Sequence, residues 1–498
     1  MRSSAIDNEH EHIPEPSTPT STGASSAMTT TARIALAVLL TGELMNIVDD
    51  SVVLTAIPTL QHSLGAGPAA VQWVTAGYAL SFALALITGG RLGDIYGRRK
   101  VFLLGTIGFT LASLLCGLAA DPGMLIAARV LQGGAAAVMM PQVLATLHVT
   151  FAAENRSRAF GLFGAVLAMG NVVGPVLGGA LTDADLFGLA WRPIFLINVP
   201  VGLAVIILGR KFITESTAAK ADRLDLAGVG LSAIAMVLIV FPLTEGHAHG
   251  WPLWCFIMLT SGLLVLGAFL RHQRHRADKA PLVELSLFRV KQFRGGLSAQ
   301  LMMGLLVGLF FMTWTLYLQR SLGMSALMAG LAFVLLAGGE FMGAMLATKT
   351  AGRFARRLPQ AGALITIAAM TAYGLQISSG REDLTLLAMS APILVLGFGL
   401  GMISGPIADL TLAKVPHDRA GSASGLFNTA LQLGYALGIA LNGLVFFAVT
   451  GGSPEAALNR DAFTGVLWWG GGTLIAMWAL MFYLPEHPND HTTESGGN

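Results

Sequence analysis

The sequence predicts an all-α protein that crosses a membrane many times, and three observations carry that expectation. Its composition is 54% apolar and only 12% charged, against roughly 25% charged in an ordinary soluble domain. The apolar residues fall in runs of the length that spans a bilayer, about 20 residues per helix. The charged residues collect in the connections, alternately dense and sparse along the chain.

The chain opens differently. Residues 1–32 are acidic and His-bearing at first, then rich in Pro, Ser and Thr. That composition cannot bury a core and is expected to form a disordered tail. No basic region, apolar core and cleavage site follow one another there, so no signal peptide is expected, and Met28 is an alternative start. Fourteen spans follow, at about 33–57, 71–90, 101–120, 123–147, 158–181, 193–211, 225–244, 252–270, 296–319, 326–349, 360–378, 384–408, 420–449 and 462–484. The two cysteines, Cys116 and Cys255, lie in apolar runs without metal or redox spacing, so packing is expected and a metal site is not.

Orientation follows from Lys and Arg. Of the 30 such residues, only Arg192, Arg320, Arg381 and Arg460 fall on one side, while Arg129 falls inside the fourth span. A wrong number of spans would scramble this asymmetry. Both termini are therefore expected in the cytoplasm.

The densest connection is Gly90-Arg91-Leu92-Gly93-Asp94-Ile95-Tyr96-Gly97-Arg98-Arg99-Lys100, between the second and third spans. Its glycines suit a tight turn, Asp94 suits the positive N-terminus of a neighbouring helix, and the consecutive bases resist entry into hydrocarbon. A degraded copy, Ala351 to Arg357, follows the tenth span, and Arg158 to Phe163 echoes Arg419-Ala420 and Gly425 to Phe427. Spans 1–6 thus match spans 9–14. The expected organisation is a six-helix bundle at 33–213, an inserted pair at 214–271, a cytoplasmic link at 272–295, a second bundle at 296–484 and a tail at 485–498. Paired halves around a midplane site suit alternating access. Within the link, Leu285, Leu287, Phe288 and Phe293 suggest a segment lying along the membrane surface.

Charge inside a span is costly and marks function by default. The first span holds Glu43, Asp49 and Asp50, with Glu43 and Asp50 close to one stripe; the fourth holds Arg129 and Gln132; the tenth holds Glu340 between glycines. Asp49 and Arg129 lie at similar depth, roughly 12 and 10 Å from their outer helix ends at about 1.5 Å per residue. A pair of the two would couple protonation of Asp49 to release of Arg129. The fifth span carries Gly174-Pro175-Val176-Leu177-Gly178-Gly179, which permits bending and close helix contact. Met302, Met303, Phe310, Phe311 and Met312 offer either an adaptable apolar pocket or packing. No G-x-x-x-x-G-K-[S/T] spacing is found, so energy is expected from an ion gradient and no cofactor is expected.

These stretches resemble the fourteen-helix drug:proton antiporter branch of the major facilitator superfamily. Gly90 to Lys100 resembles that superfamily's G-x-L-x-D-x-x-G-R-R/K loop. Asp49 to Pro58 resembles the branch's D-x-T-x-V-N-x-A-L-P signature, with Leu54 departing from the usual Asn. Arg129-Val130-Leu131-Gln132-Gly133 resembles R-x-x-Q-G, and Gly170 to Gly179 resembles the antiporter motif G-x-x-x-G-P-x-x-G-G. Trp191 to Pro200 and Asp225 to Gly228 are similar to the openings of the branch's sixth and seventh helices. The resemblance covers about residues 33–484.

It implies a major facilitator fold, two six-helix bundles plus two inserted central helices, in the cytoplasmic membrane. It further implies a proton-driven exporter of amphipathic drugs or antibiotics that confers resistance, acts as a monomer, binds no nucleic acid and is not an enzyme. Proton coupling is expected at Asp49, Arg129, Asp50 and Glu340, and substrate contact at Glu43, Asp49, Gln132 and Glu340. Gating is expected at Gly90, Asp94, Gly97, Arg98, Arg99, Gly174, Pro175, Gly178 and Gly179. Two rivals remain: a uniporter or symporter of a polar metabolite, and a non-transporting membrane sensor.

Overall fold

A computed structural model describes residues 28–151, 153–217, 224–276, 281–379, 384–416, 419–451 and 453–486. Most of the two expected tails lies outside the described residues. Among the described residues, 14 helices are long and apolar enough to cross a membrane. Helices are the solution because lipid offers no partner to backbone N–H and C=O groups.

The first group comprises α1 (Thr30–Leu64), α2 (Pro68–Tyr96), α3 (Arg98–Gly117), α4 (Pro122–Thr150), α5 (Ala153–Asp183) and α6 (Pro193–Phe212). The inserted pair is α7 (Leu226–Glu245) and α8 (Leu253–His275). The second group comprises α9 (Lys291–Leu316), α10 (Ala326–Phe354), α11 (Arg357–Ser378), α12 (Leu386–Leu412), α13 (Ala420–Val445) and α14 (Ala456–Leu480). Within the groups, α1 packs on α5 and α6, α2 and α3 on α4, α10 and α11 on α12, and α9 on α13 and α14. The groups meet along two seams, α2 with α13 and α5 with α10. The inserted hairpin packs across the first seam, with α7 against both α2 and α13.

Several boundaries differ from expectation for local reasons. The second span continues to Tyr96, so the Gly-rich connection is helical up to one residue, Gly97, whose φ of +105° only glycine adopts without strain. Gly93 lies within this helix, where a Cβ would come 1.7 Å from Gln142 Oε1, so glycine lets α2 pack closely on α4. Asp94 does not cap a neighbouring helix; it pairs with Arg98 one turn on, at 3.0 Å. The α3 N-terminus is instead held by Glu215, which accepts from the Arg99 and Lys100 N–H groups at 3.0 and 3.1 Å. The first span runs on to Leu64 and stops at Gly65 in the left-handed region. The link does not simply lie along a membrane surface. Leu287 and Phe293 are buried and form a small core with Ala423 and Leu426 at the base of the second group.

Hydrogen bonds tie the groups together at the end that carries Leu64 and Asp183. Gln319 Nε2 donates to Thr55 O at 3.0 Å, and Arg320 donates to Gln61 Oε1. Asp183 accepts from the Ala326 and Leu327 N–H groups, the exposed N-terminus of α10, at 3.1 and 2.9 Å. Below this seal, toward the end that carries Arg98, the groups enclose a cavity.

Candidate transport site

The cavity has a volume of about 420 Å³, within the range that holds a drug-sized molecule. Its polar lining is acidic and amide-bearing: Glu43 and Asp50 from α1, Glu340 from α10, and Asn46, Asn171, Gln300, Asn428 and Gln432. Tyr78, Phe82, Phe311, Phe333 and Tyr435 supply aromatic faces, and Met140 and Met303 supply adaptable surface. Among the described residues that line it there is no Lys, Arg or His. Glu43 is buried, and neither of its carboxylate oxygens meets hydrogen-bond geometry even though Asn46 stands nearby. Asn46 is already engaged, accepting from Tyr78 Oη at 2.6 Å.

Asp49 faces the other way. It is fully buried against α3, α4 and α6, behind the cavity wall. Arg129 Nη1 donates to its Oδ2 at 2.6 Å, while Gln132 Nε2 and Asn198 Nδ2 donate to its Oδ1 at 2.8 and 2.6 Å. Arg129 donates further to Gln132 Oε1 at 2.8 Å and to Val74 O at 3.0 Å. Its guanidinium lies 4.1 Å from the centre of the Tyr78 ring. Gln132 also donates to Ser113 Oγ at 2.8 Å. The carboxylate thus accepts three hydrogen bonds, one on Oδ2 and two on Oδ1, which offsets much of the cost of burying its charge, while Arg129 Nη2 is buried without a partner.

The expected site residues therefore divide into two sets. Glu43, Asp50 and Glu340 come together in the cavity from both groups of helices. Asp49 and Gln132, also expected at the substrate, do not line this cavity: a one-residue step along α1 turns the side chain by about 100°, so the adjacent acids Asp49 and Asp50 face different neighbours. Helix α1 ends at Leu64 and not near 57, so Asp49 lies deeper than its expected depth of about 12 Å, and the pair forms where α1 and α4 come into contact. Of the apolar residues singled out in α9, Met303 and Phe311 line the cavity, whereas Phe310 and Met312 are packed behind it.

Sequence reasoning missed Asn198, Tyr78 and the amides. Each is a neutral polar side chain in a span, and such residues show no pattern until tertiary neighbours are known. Asn198 reaches Asp49 because α6 presses on α3: a Cβ on Gly202 would lie 2.0 Å from Thr110 Oγ1. Helix α6 is interrupted at Ile197, between segments Pro193–Leu196 and Asn198–Phe212.

The glycines of α5 serve contact. A Cβ on Gly174 would lie 1.9 Å from Ser51 Oγ, and one on Gly178 would lie 2.4 Å from Val52 O. The backbone of α5 therefore rests directly on the face of α1 that carries Ile47, Ser51 and Thr55. Pro175 has no N–H, and its own carbonyl accepts from Thr55 Oγ1 at 3.2 Å. Gly179 meets the opposite group, against Ala326 at the seal. Gly90 sits beside Pro141 of α4, and Arg99 Nη1 donates to Ile213 O at 3.4 Å, which joins α3 to the end of α6.

The family model described as Major Facilitator Superfamily matches residues 39–439. A protein described as a probable actinorhodin transporter of Streptomyces coelicolor is 38% identical over 86% of this chain and 75% of its own length. A cephamycin export protein of Amycolatopsis lactamdurans is 35% identical over 89% and 91%. A puromycin resistance protein of Streptomyces alboniger is 34% identical over 93% of each chain. Among solved structures, a bacterial homologue of the human lysosomal transporter Spinster superposes with a TM-score of 0.67 at 18% identity, covering 92% of this chain and 97% of that one, a likeness of fold. The fourteen spans, the acid-lined cavity and these relatives together make the chain a transporter and not an enzyme, a multi-pass protein of the bacterial cytoplasmic membrane that belongs to the Major Facilitator Superfamily alongside its antibiotic exporters.

Proposed function

We propose that the protein is a proton-driven antiporter that exports amphipathic drugs or antibiotics by alternating access and so confers resistance. One observation carries the reading: a buried, hydrogen-bonded Asp49–Arg129 pair lies directly behind a cavity lined by three carboxylates. The pair suits coupling because its two charges exist only together. Protonating Asp49 cancels the attraction that holds Arg129, and an unpaired buried charge is costly enough to drive rearrangement. Tyr78 carries the signal, with its ring under the Arg129 guanidinium and its hydroxyl on Asn46 at the cavity wall.

The excess of Lys and Arg at the Arg98 end supports a cytoplasmic position for that end and for both termini. The seal at Asp183, Gln319 and Arg320 then closes the extracellular side, and the cavity belongs to the cytoplasmic half of the cycle. Substrate enters there, and Glu43, Asp50 and Glu340 favour a positively charged group on an apolar body. The described boundaries support two six-helix bundles with α7 and α8 as an insertion, acting as one polypeptide unit.

The test is drug-driven proton release from everted vesicles, read with a pH-gradient dye, against a panel of cationic, neutral and anionic drugs. Wild type is expected to dissipate the gradient with cationic amphipaths, and Asp49→Asn to abolish the response without loss of protein. If no compound dissipates the gradient, proton antiport is wrong and a metabolite carrier is the better reading. If only anionic compounds do so, the charge preference is wrong and the coupling reading stands.

A further inference from the structure

The coupling site includes an amide whose chemistry differs from its neighbour's, and the following inference rests on the proton-coupling reading above. Asp49 Oδ1 accepts from two amides, Gln132 Nε2 and Asn198 Nδ2. Gln132 is locked. Its Oε1 takes Arg129 Nη1 and its Nε2 serves both Asp49 and Ser113, so turning the amide over would set N–H against guanidinium and break every contact. Asn198 is 3% exposed, and its Nδ2 is committed to Asp49 alone. Among the described residues no protein donor is placed on its Oδ1, which keeps a little accessible surface. Turning this amide by a half rotation about its Cβ–Cγ bond therefore sacrifices nothing but the bond to Asp49.

That difference matters when the proton arrives. A carboxylate asks both amides to donate, whereas a carboxylic acid presents one O–H that needs an acceptor. A buried donor left without one is costly, which would penalise the protonated state that transport requires. We propose that Asn198 is a positioning residue of the coupling site, donating to ionised Asp49 and turning over to accept from protonated Asp49. The proton adds to Asp49 Oδ1, the new O–H donates to Asn198 Oδ1, and Asn198 itself neither gains nor loses a proton. The sixth span thereby contributes to both charge states of a carboxyl group on the first.

Other groups facing Asp49 are Arg129 from α4, Tyr78 from α2, Cys116 from α3, and Asp50 and Glu43 along α1 itself. Each already has a part or a distance that prevents this one. Arg129 and Tyr78 are occupied as described, Cys116 offers its thiol to Gln132 at 3.6 Å, and Asp50 and Glu43 face the cavity.

The experiment measures drug-driven proton release as a function of pH in everted vesicles for wild type, Asp49→Asn, Asn198→Leu, Asn198→Ser and Asn198→Asp. Leu keeps the volume and removes both polar functions; both charge states lose a partner, so the maximal rate is expected to fall, and the pH midpoint to move upward because the charge-assisted bond to the ionised carboxylate is the stronger of the two lost. Ser keeps a donor and an acceptor in one hydroxyl, though closer to the backbone, and is expected to fall between Leu and wild type. Asp, similar in shape to Asn, sets a second carboxyl against Asp49 and is expected to displace the profile. A role in packing alone predicts the reverse order, with Asp tolerated and Ser impaired, so the comparison decides even if the Leu variant fails to reach the membrane. An unaltered profile in a well-expressed Asn198→Leu protein overturns the inference. If Asp49→Asn behaves as wild type, the coupling reading itself fails, a distinct result from Asn198 variants that leave an Asp49-dependent profile unmoved.

Discussion

Replacing Arg129 with Met leaves Asp49 fully buried, without a counter-ion and supported only by Gln132 and Asn198. Breaking one partner of a buried pair costs about 3–5 kcal/mol, because the remaining charge has lost its counter-ion inside a low-dielectric site. The pair here is at the upper end of that range in geometry, with a 2.6 Å contact and both side chains 0% exposed. Loss of the Arg129 bond to Val74 O adds little, since that carbonyl lies within α2 and keeps its helical partner. The double substitution Asp49→Asn with Arg129→Met removes both charges at similar volume, and such replacements are often neutral or stabilising. The expected order of thermal stability in detergent is therefore wild type near the double variant, with Arg129→Met clearly lowest. The assay is the melting midpoint of purified protein followed by size-exclusion chromatography or tryptophan fluorescence, with drug-driven proton release measured in parallel. Release should be absent from both variants. A double variant no more stable than Arg129→Met would refute the argument, because it would show that Arg129 acts through packing and not through the charge of Asp49.

Three further outcomes follow from other contacts. Glu215→Ala should lower stability by about 0.5–2 kcal/mol, the value of a helix N-terminal cap, since the Arg99 and Lys100 N–H groups lose their acceptor; an unchanged melting midpoint would remove Glu215 from that role. Asp225, at the start of α7, is buried, which acts to raise its pKa, but His272, Gln273 and the Gly228 N–H together hold it down to about 2. A depressed carboxylate stabilises the fold above its unfolded pKa and loses that contribution as pH falls toward 2, so Asp225→Asn should be less stable than wild type at neutral pH, with the gap closing in acid; a gap constant with pH would overturn this. Gly178→Leu should abolish export, because even a Cβ would lie 2.4 Å from Val52 O and 2.6 Å from Thr55 Oγ1; vesicles that still show drug-driven proton release would exclude direct α1–α5 contact as a requirement.

Much of the architecture was legible because a bilayer punishes error so heavily. A helix must be long and apolar to cross, and a charge must lie outside unless it is paired, so spans and connections separate in one dimension. By the same physics Glu43, Asp49, Asp50, Arg129 and Glu340 stood out as buried charges that require a reason. Which way each one points was not legible. Asp49 and Asp50 are adjacent in sequence, yet one enters a sealed network with Arg129 and the other faces the cavity, and only the packing of α1 between α4, α5 and α6 decides between them. Gly90 to Lys100 was recognisable as a surface connection, but its close approach to Gln142 and its cap at Glu215 depend on residues about fifty and more than a hundred positions away. Neutral polar residues were the blind spot. Asn198, Tyr78 and Gln300 cost too little in a span to announce themselves, and their roles exist only where folding brings an unmet donor or acceptor within reach. Sequence alone therefore determined the spans, their number and the charges that must be compensated. Tertiary structure alone decided which charges compensate each other and which are left for a ligand, because that choice rests on contacts of a few ångströms between helices distant in the chain.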